Sequence, residues 1–457
     1  MEYAEFIKTK QVDHINAGFD PGDMRFPDLI KEFQRDIVSW ACRRGRAAIF
    51  ADTGLGKTLM QLTWADLVSR YTDKPVLVLA PLCVAQQTVE EGEKFGIAAQ
   101  YVRDQPIRDG VHNLSFVDVT NYEMLKNFNP ESYGGIVLDE SSILKGMDGK
   151  LRKYITAFGK NIPYRLSCTA TPSPNDFMEL GTQSEFLGIM SQVEMLATFF
   201  IHDGSDTSKW RLKGHARKRF WEWLATWACV IRKPSDLGYS ESGYDLPPLR
   251  LHEHIVETSP TDDLFVSIAQ GLQERNKARR DSVESRCRKA AEITKDWDCF
   301  IGWCNLNDES ELLADLMGSS EITGSMKPEK KEELILGFTH QDINSIITKP
   351  KIAGFGLNWQ HCNKMIFVGL SDSFEAFYQA VRRCWRFGQT QPVDVHIIIS
   401  DREGAVLDNI KRKQRQHDQM SAEMMTIMRD YTVAEIKGAT INKTDYLPQE
   451  KMIKPKF

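Results

Sequence analysis

The sequence has few features of a membrane protein, a secreted protein or a protein with a structural zinc site. Its nine cysteines are odd in number and scattered, with no C-x-x-C pair, which argues against a disulfide framework and against a zinc ribbon. No uncharged apolar run is long enough to span a bilayer, and the opening residues MEYAEFIKTK lack the apolar core of a signal peptide. Short internal repeats and low-complexity segments are missing too. We therefore expect reduced cysteines and a soluble cytoplasmic protein with no membrane partner.

The chain also lacks a net positive charge, because its 58 Lys and Arg residues are outnumbered by 63 Asp and Glu residues, which gives a formal net charge of −5. Its positive charge is unevenly distributed. It is concentrated in three runs, 209–219, 275–289 and 411–415. A solvated helix face explains each run equally well when the run is taken alone. Together they are clusters of the kind that contact nucleic-acid phosphates, provided that the chain carries other features of a nucleic-acid enzyme.

The 457 residues exceed the size at which one hydrophobic core keeps growing, so two or three domains are expected. Both halves alternate short apolar runs with longer amphipathic segments, which predicts βα units around parallel sheets. The predicted strands are 47–50, 76–80, 115–119, 135–139, 165–168, 249–257, 299–304, 343–348, 364–369 and 393–399. The predicted α/β organisation has a first lobe at 1–245, a second at 246–430 and a tail at 431–457. Residues 185–233, rich in tryptophan and basic residues without a strand pattern, are expected to form a helical insertion.

One stretch, AAIFADTGLGKTLM at 47–60, combines an apolar strand, a glycine-bearing turn and the start of a helix. Its glycines let backbone N–H groups approach phosphate oxygens, Lys57 supplies an ammonium for the terminal phosphates, and Thr58 supplies a hydroxyl for Mg²⁺. Ala51 stands where the general phosphate-loop pattern has its first glycine, and it is small enough to leave the turn intact. The stretch predicts a site for a nucleoside triphosphate and Mg²⁺.

A carboxylate pair, Asp139 and Glu140, follows the predicted buried strand GIVL. Side chains at the carboxyl end of a parallel strand lie where α/β sheets bind their ligands. We expect Asp139 to hold Mg²⁺ and Glu140 to polarise the attacking water. An ordinary acidic strand-to-loop transition would show the same two residues, so the pair gains its meaning from the phosphate loop that precedes it.

A third candidate element, QAVRRCWRFGQ at 379–389, lies in the second lobe. Arg383 and Arg386 are three apart, so on a helix they would share one face. Guanidinium groups brought from another domain to a γ-phosphate stabilise the charge that develops during transfer. A surface helix with salt-bridged arginines would give the same local pattern. Only the other motifs can distinguish such a helix from arginines that act on a phosphate.

The ordered motifs resemble those of superfamily 2 helicases and translocases, most closely the Swi/Snf-type branch in the compact form found in phages and prophages. The resemblance covers about residues 29–399. The matching segments are Phe33-Gln34, Ala80-Pro81, Thr120–Glu123, Asp139–Ser142 with Lys145, Ser167–Pro172 with Asn175 and Glu179-Leu180, Ala353–Asn358 and Gln379–Gln389. The resemblance implies two RecA-like lobes with ATP and Mg²⁺ in the cleft between them and nucleic acid lying across both lobes.

The resemblance also implies roles for individual residues. The implied catalytic residues are Lys57, Asp139, Glu140, Gln379, Arg383 and Arg386. The implied ATP-binding residues are Phe33, Gln34, Thr53, Gly54, Leu55, Gly56, Lys57, Thr58 and Gly356, with Thr58 and Asp139 as the Mg²⁺ ligands. The implied nucleic-acid contacts are Pro81, Thr120, Lys145, Thr169, Lys349, Lys209, Arg211 and Arg217.

The implied function is that of an ATP-dependent motor. We expect a DNA-stimulated ATPase that translocates on duplex DNA through largely sequence-independent backbone contacts, with unwinding or remodelling of branched DNA as a further expectation. An RNA helicase and a non-catalytic nucleic-acid-binding scaffold remain alternatives. Other DNA-processing proteins of a phage or its host are the expected protein partners, and the bacterial cytoplasm is the expected location.

The chain departs from the Swi/Snf-type pattern at two motifs. Ser141-Ser142 replace Ala-His after the acidic pair, so a different contact, through Ser142 or Thr169, has to link the nucleotide state to the coupling motif. Phe355 replaces a glycine. Trp210, Trp303 and Trp359 are candidates to stack on a base, although packing in the core is the simpler explanation for each.

Overall fold

A computed structural model describes residues 18–108, 116–146, 149–173, 177–202, 210–257, 280–354, 356–401 and 403–436. Asn175 and Lys209 lie outside these ranges, and the side chain of Lys145 is not described. Within the ranges the chain forms two parallel sheets, each covered by helices, joined through the segment that follows residue 231. No helix in the described part of the chain has the length and apolar character to cross a membrane.

The first lobe is built on a seven-stranded sheet in the order β3-β4-β2-β5-β6-β1-β9, parallel throughout. Its central strands are apolar and buried on both faces, as parallel strands under helices are. The strands up to the end of this lobe are β1 Arg46–Ala51, β2 Val76–Ala80, β3 Ala99–Tyr101, β4 Val117–Asn121, β5 Gly135–Asp139, β6 Tyr164–Thr169, β7 Phe200–His202, β8 Trp210–Leu212 and β9 Ala228–Ile231. The helices are α1 Glu32–Arg44, α2 Lys57–Thr72, α3 Leu82–Lys94, α4 Ile143–Gly146, α5 Gly149–Lys160, α6 Leu180–Leu187, α7 Gln192–Phe199 and α8 Arg217–Ala225.

The second lobe has a six-stranded parallel sheet in the order β10-β15-β14-β11-β13-β12. Its strands are β10 Leu249–Val256, β11 Phe300–Cys304, β12 Ser320–Glu321, β13 Ser345–Thr348, β14 Lys364–Val368 and β15 Val393–Ser400. Its helices are α9 Val283–Thr294, α10 Asn307–Met317, α11 Pro328–Thr339, α12 Pro350–Ala353, α13 Phe374–Val381 and α14 Gly404–Ile436. Short 3₁₀ helices occupy Tyr122–Asn127, Pro130–Ser132, Phe177–Glu179, Gly214–Ala216 and Pro234–Leu237. Two tandem parallel α/β lobes are thus confirmed as the fold class.

The segment 185–233 differs from the helical insertion that the sequence predicts. It contains α7 and α8, but β7 and β8 pair as an antiparallel hairpin and β9 joins the main sheet beside β1. The expectation of a segment without strands was therefore wrong. The physical reason is that β9 is only four residues long and directly follows a tryptophan-rich helix, so its apolar run merges with the apolar face of α8 in the sequence.

The tryptophans of this segment mostly fill the first lobe. Trp221, Trp223 and Trp227 are buried in one hydrophobic cluster with Phe199 and Phe220. Aromatic side chains bury large areas each, so the cluster anchors α8 against the sheet.

The long helix α14 crosses from the second lobe to the first. It starts after β15, and its Met424 and Met428 are buried in the tryptophan cluster of the first lobe. Tyr431 Oη donates to Glu222 Oε1 at 2.9 Å, and the carbonyl of Ile436 accepts from Arg43 Nη2 at 3.3 Å. The boundary expected between 430 and 431 falls inside this helix, which therefore ties the two lobes together.

Three histidines meet where β10 pairs with β15. His396 lies opposite His252 in register, with ring centroids 4.4 Å apart, and its Nδ1 lies 3.0 Å from His254 Nε2. Burial and then the neighbouring His252 and His254 lower the pKa of His396 to about 4, against the opposing charge of Asp394. Lys364 also faces this histidine and disfavours its protonated form.

We expect this histidine to make the fold acid-sensitive. The unfolded chain takes up a proton at the ordinary histidine pKa of 6.5, whereas native His396 resists it until about pH 4. The free energy of unfolding should therefore fall as pH decreases from 6.5 towards 4, and His396→Gln should flatten that slope. Denaturant titrations at several pH values measure it, with the exposed His215→Gln as the matched control; identical slopes for wild type and His396→Gln would contradict the expectation.

Candidate functional site

Three strand ends of the first lobe bring the predicted motifs together. The sheet order places β6 between β5 and β1, with Asp139 in register with Cys168 and Phe50 in register with Thr169. Because all three strands are parallel, their carboxyl ends lie on one edge of the sheet. The phosphate-loop turn, the acidic pair and the coupling motif are therefore neighbours.

The turn between β1 and α2 has the backbone of an anion cradle. Gly54 and Gly56 have φ values of 88° and 76°, in the left-handed region that favours glycine, and Gly56 is the N-cap of α2. The free N–H groups at the start of α2 face the turn, which suits an anion. Lys57 Nζ lies 2.8 Å from the carbonyl oxygen of Ala51, and burial lowers its pKa.

Gln34 and Phe33 support this turn from α1. Gln34 Nε2 donates to the carbonyl of Leu55 at 2.8 Å, while its Oε1 accepts the backbone N–H of Lys31. Phe33 is buried, and its ring meets Tyr244 edge-on with centroids 5.6 Å apart. Both predicted ATP-binding residues therefore border the turn, and Gln34 contacts it directly.

Asp139 and Glu140 are buried side by side at the end of β5. Burial, and after it the charge of Glu140, raise the pKa of Asp139 to about 7. Glu140 has a φ of 52°, an uncommon value outside glycine that the Asp139 carboxylate supports by accepting the Glu140 N–H at 3.0 Å. Strain of this kind is concentrated at functional sites.

Three donors converge on one oxygen of Glu140. Its Oε1 accepts from Ser142 Oγ at 3.3 Å, from Thr169 Oγ1 at 3.1 Å and from Gln379 Nε2 at 3.3 Å. Thr169 Oγ1 in turn accepts the backbone N–H of Thr171 at 3.1 Å. The contacts expected through Ser142 or Thr169 are thus both present. They fix the orientation of the carboxylate.

The second lobe reaches the site through the turn after α13. Arg383 and Arg386 lie in this turn, since α13 ends at Val381, so the shared helical face expected for them was wrong. Arg383 donates to Leu357 O at 3.0 Å and, through Nη2, to Gln379 Oε1 at 2.8 Å. Gln379 then extends across the cleft to Glu140 and to Thr171 Oγ1 at 3.0 Å.

Arg386 has fewer partners than Arg383. Its Nη1 lies 3.3 Å from Leu357 O, whereas its buried Nε has no hydrogen-bond partner among the described residues. Burial lowers the pKa of Lys57, the carboxylates Glu140, Asp52 and Asp139 raise it, and the charge of Arg386 adds a smaller lowering. The carboxylate of Glu91 in turn favours the charged form of Arg386.

Arg382 is an inter-lobe residue that the sequence does not predict, and it forms an ion pair with Asp52 at 2.5 Å. No signal in the sequence singles it out, because the motif leaves its position variable and Asp52 lies more than 300 residues away. Gly356, which the sequence predicts as an ATP-binding residue, lies where the second lobe contacts the first. Its φ is 74° and a Cβ there would lie 2.2 Å from Val84 Cγ2, so it packs against α3 of the first lobe.

The predicted nucleic-acid contacts fall into two groups. Arg211 and Arg217 are exposed, and Pro81 and Lys349 are half-buried, with Lys349 Nζ 2.5 Å from Asn307 Oδ1. The hydroxyl-bearing residues Thr120 and Thr169 are fully buried, so this conformation presents neither at the surface.

The three tryptophans that are candidates for base stacking differ in burial. Trp303 and Trp359 are fully buried, which agrees with core packing. Trp210 is half-buried and lies against His202 with ring centroids 3.7 Å apart.

Comparison with known proteins agrees with this arrangement of motifs. Residues 287–388 match the helicase conserved C-terminal domain. The chain is 22% identical over 439 residues to chromodomain-helicase-DNA-binding protein 1-like from Danio rerio, a match that covers 80% of this chain and 41% of the relative. The chain is thus similar to helicases in both comparisons, and its ordered motifs resemble those of superfamily 2.

Two further curated proteins match part of the chain. Protein p41 of Acyrthosiphon pisum secondary endosymbiont phage 1 is 28% identical over 214 residues, which is 42% of this chain and 45% of p41. TATA-binding protein-associated factor MOT1 of Saccharomyces cerevisiae is 26% identical over 214 residues, 39% of this chain and 11% of that protein. The chain thus spans less than half the length of each curated relative, and these relatives are of the Swi/Snf type together with a phage protein.

Solved structures share the fold of two tandem lobes. Dbp5 of S. cerevisiae, bound to RNA and ADP BeF3, aligns with a TM-score of 0.52 at 12% sequence identity over 87% of this chain and 93% of Dbp5. A point variant of the same protein aligns with a TM-score of 0.53. At this identity the likeness concerns the fold, with its tandem lobes, and nothing finer.

Proposed function

We propose that the chain is an ATP-dependent motor, a DNA-stimulated ATPase that translocates on duplex DNA. One observation carries the proposal: the active site is split, with Gln379 of the second lobe in contact with both Glu140 and Thr171 of the first. A site completed by two lobes is sensitive to their separation. Nucleic acid that binds across both lobes can therefore control hydrolysis, and hydrolysis can move the lobes.

The residues of the cleft fit ATP and Mg²⁺. The cradle of left-handed glycines, the positive charges of Lys57 and Arg386 and the unpartnered Nε of Arg386 all suit a polyphosphate. Thr58 and Asp139 would hold Mg²⁺ beside them, and a bound Mg²⁺ supplies neutralising charge to phosphate oxygens. In this scheme Glu140 accepts a proton from water, and Lys57 with the arginines stabilises the charge on the transferred group.

Exposed cations supply a surface for a nucleic-acid backbone. Arg211 lies on the β7–β8 hairpin, and Arg217, Lys218 and Arg219 form the exposed first turn of α8. Exposed cations of this kind can contact the phosphates of a duplex without reading its sequence. Two relatives whose names refer to DNA binding or to a TATA-binding protein favour DNA over RNA.

The other proposed attributes follow from this function. The alternative functions are an RNA helicase and a nucleic-acid-binding scaffold without ATP turnover. The presence of Lys57, Asp139, Glu140 and Arg386 argues against the scaffold. Protein partners would be other DNA-processing factors of a phage or its host, in the bacterial cytoplasm.

The direct test of this function compares ATPase rates across a panel of nucleic acids. We expect duplex DNA to raise the ATPase rate more than single-stranded DNA or RNA, because the exposed cations address a backbone and not bases. We also expect displacement of a third strand from a triplex in an ATP-dependent manner, without separation of the duplex strands. Steady-state ATPase rates with duplex, forked, four-way and single-stranded DNA and with RNA measure the first, and a triplex-displacement assay measures the second.

The control for this panel is Lys57→Ala, which removes the ammonium from the phosphate loop. It should abolish both stimulated turnover and triplex displacement while nucleic-acid binding persists, because the exposed cations lie elsewhere. Stimulation by RNA alone would replace the DNA motor with an RNA helicase, and equal turnover by Lys57→Ala would contradict the assignment of the site.

A further inference from the structure

One contact across the cleft lies at a position that the family motif leaves variable. Arg382 Nη2 lies 2.5 Å from Asp52 Oδ1, and its Nε donates to Thr53 Oγ1 at 2.5 Å. Nη2 is also 3.4 Å from the carbonyl oxygen of Thr53. The side chain of Arg382 is 2% exposed and that of Asp52 14%. A guanidinium from the second lobe thus binds the first residues of the phosphate-loop turn in a nearly dry setting.

The second lobe holds Arg382 ready for this contact. Its guanidinium lies 5.0 Å from the ring centroid of Trp385 and 5.8 Å from that of Tyr378. Contacts of a cation with aromatic faces are attractive and restrict its rotamers. Tyr378 Oη also lies 3.4 Å from the same Asp52 Oδ1, so two side chains of the second lobe converge on one carboxylate oxygen.

Asp52 retains its negative charge in this position. Burial raises its pKa, but Arg382, the N–H of Thr53 and Lys57 together outweigh burial and hold the pKa below its ordinary value. Asp52 also raises the pKa of Lys57, so its charge is felt at the ammonium that faces the phosphates. An unpaired carboxylate at this place would repel a polyphosphate, and the repulsion is strong where water is excluded.

We propose that Arg382 is a positioning residue that neutralises Asp52 when the lobes close, and that it thereby couples the affinity of the phosphate loop for ATP to closure of the cleft. The inference rests on the proposed function, since ATP is the ligand. In the open cleft Asp52 loses its partner and weakens the hold on the nucleotide. In the closed cleft the pair is formed, and Asp52 no longer opposes the phosphates.

The neutralisation model predicts an unusual mutational pattern. Arg382→Ala leaves a buried, unpaired carboxylate beside the phosphates and should weaken ATP binding roughly 30-fold, the lower range for truncating one partner of a buried charge pair. Asp52→Asn removes the repulsive charge and should bind ATP at least as tightly as wild type. The double variant Arg382→Ala with Asp52→Asn should recover most of the loss, because replacing both partners of a buried pair is far less costly than removing one.

The measurement is the Kd of a fluorescent ATP analogue with Mg²⁺ for the full chain in the absence of nucleic acid. Hydrogen exchange at 52–57 in the nucleotide-free protein gives a second readout. Both Arg382→Ala and Asp52→Asn break the bridge and should speed exchange there, although only Arg382→Ala should weaken ATP binding. Lys330→Ala, an exposed lysine paired with Glu333 in the same lobe, is the matched control and should change neither value.

Three results would overturn the inference: unchanged ATP binding by Arg382→Ala, a double variant as weak as Arg382→Ala, or unchanged exchange at 52–57 in both single variants. A double variant that stays weak would make Arg382 a general structural support instead. Failure of the proposed function is distinguishable, because loss of stimulation by DNA would leave the Kd pattern and the exchange pattern intact. Absence of ATP binding by wild type would refute both.

Discussion

Glu140→Gln should reduce ATP turnover by roughly 10²–10⁴-fold, the usual contribution of a general base, while ATP and nucleic-acid binding persist. Binding should persist because three donors, from Ser142, Thr169 and Gln379, hold Oε1 of Glu140 in place. A glutamine amide keeps the shape, and its oxygen can still accept these hydrogen bonds. What it loses is the ability to take a proton from water. Single-turnover hydrolysis with saturating Mg-ATP, beside a binding titration, measures the two effects separately.

The matched control is Glu333→Gln, which makes the same chemical change at an exposed position of α11. It should leave turnover unchanged. Wild-type turnover by Glu140→Gln would show that this carboxylate is not the base. Loss of nucleotide binding together with turnover would mean instead that the three-donor arrangement collapses with the amide.

The sequence predicts the sheets well because their strands are apolar and buried on both faces. Each of the ten expected strands is present, from β1 at Arg46–Ala51 to β15 at Val393–Ser400. A short buried strand between helices leaves a compact apolar run in the sequence, and helix faces do not imitate it. Strand β9 was not predicted because its four residues follow the apolar side chains of α8. Strands β3, β7, β8 and β12 were not predicted because two or three residues give no clear pattern.

The proximity of the proposed catalytic residues was predictable for a different reason. Lys57, Asp139 and Glu140 each follow a buried strand, and parallel strands deliver their ends to one edge of the sheet. Their proximity therefore follows from the fold class. Arg382 had no such signal. Its contact with Asp52 depends on how the two lobes approach each other, which local periodicity does not encode.

The turn after α13 differs in geometry from what the sequence predicts. The sequence predicts that Arg383 and Arg386 act together from one helical face. The structure ends the helix at Val381, and the two guanidinium groups take different directions. Arg383 binds Gln379 and Leu357 inside its own lobe, so it acts on Glu140 through the amide of Gln379. Arg386 is the one left with an unpartnered Nε beside the phosphate loop.

Arg386→Ala should therefore have the largest effect of any arginine in the cleft. Removing a guanidinium that stabilises the charge on a transferring phosphoryl group lowers the rate roughly 10³–10⁵-fold. Within its own lobe the substitution breaks a single weak contact of the described side chains, from Arg386 Nη1 to Leu357 O at 3.3 Å. Burial lowers its pKa, but an arginine keeps its charge in a protein. Single-turnover hydrolysis with saturating Mg-ATP measures the loss.

Arg386→Lys separates charge from geometry at the same position. A lysine restores a positive charge near Lys57 but not the planar fork that can contact two phosphate oxygens, so it should recover only part of the rate. If Arg386 served only to keep the lobes folded together, Arg386→Ala would lower the thermal unfolding midpoint in proportion to its loss of activity. An intact midpoint, with turnover abolished and ATP still bound, is the result that assigns Arg386 to the chemical step.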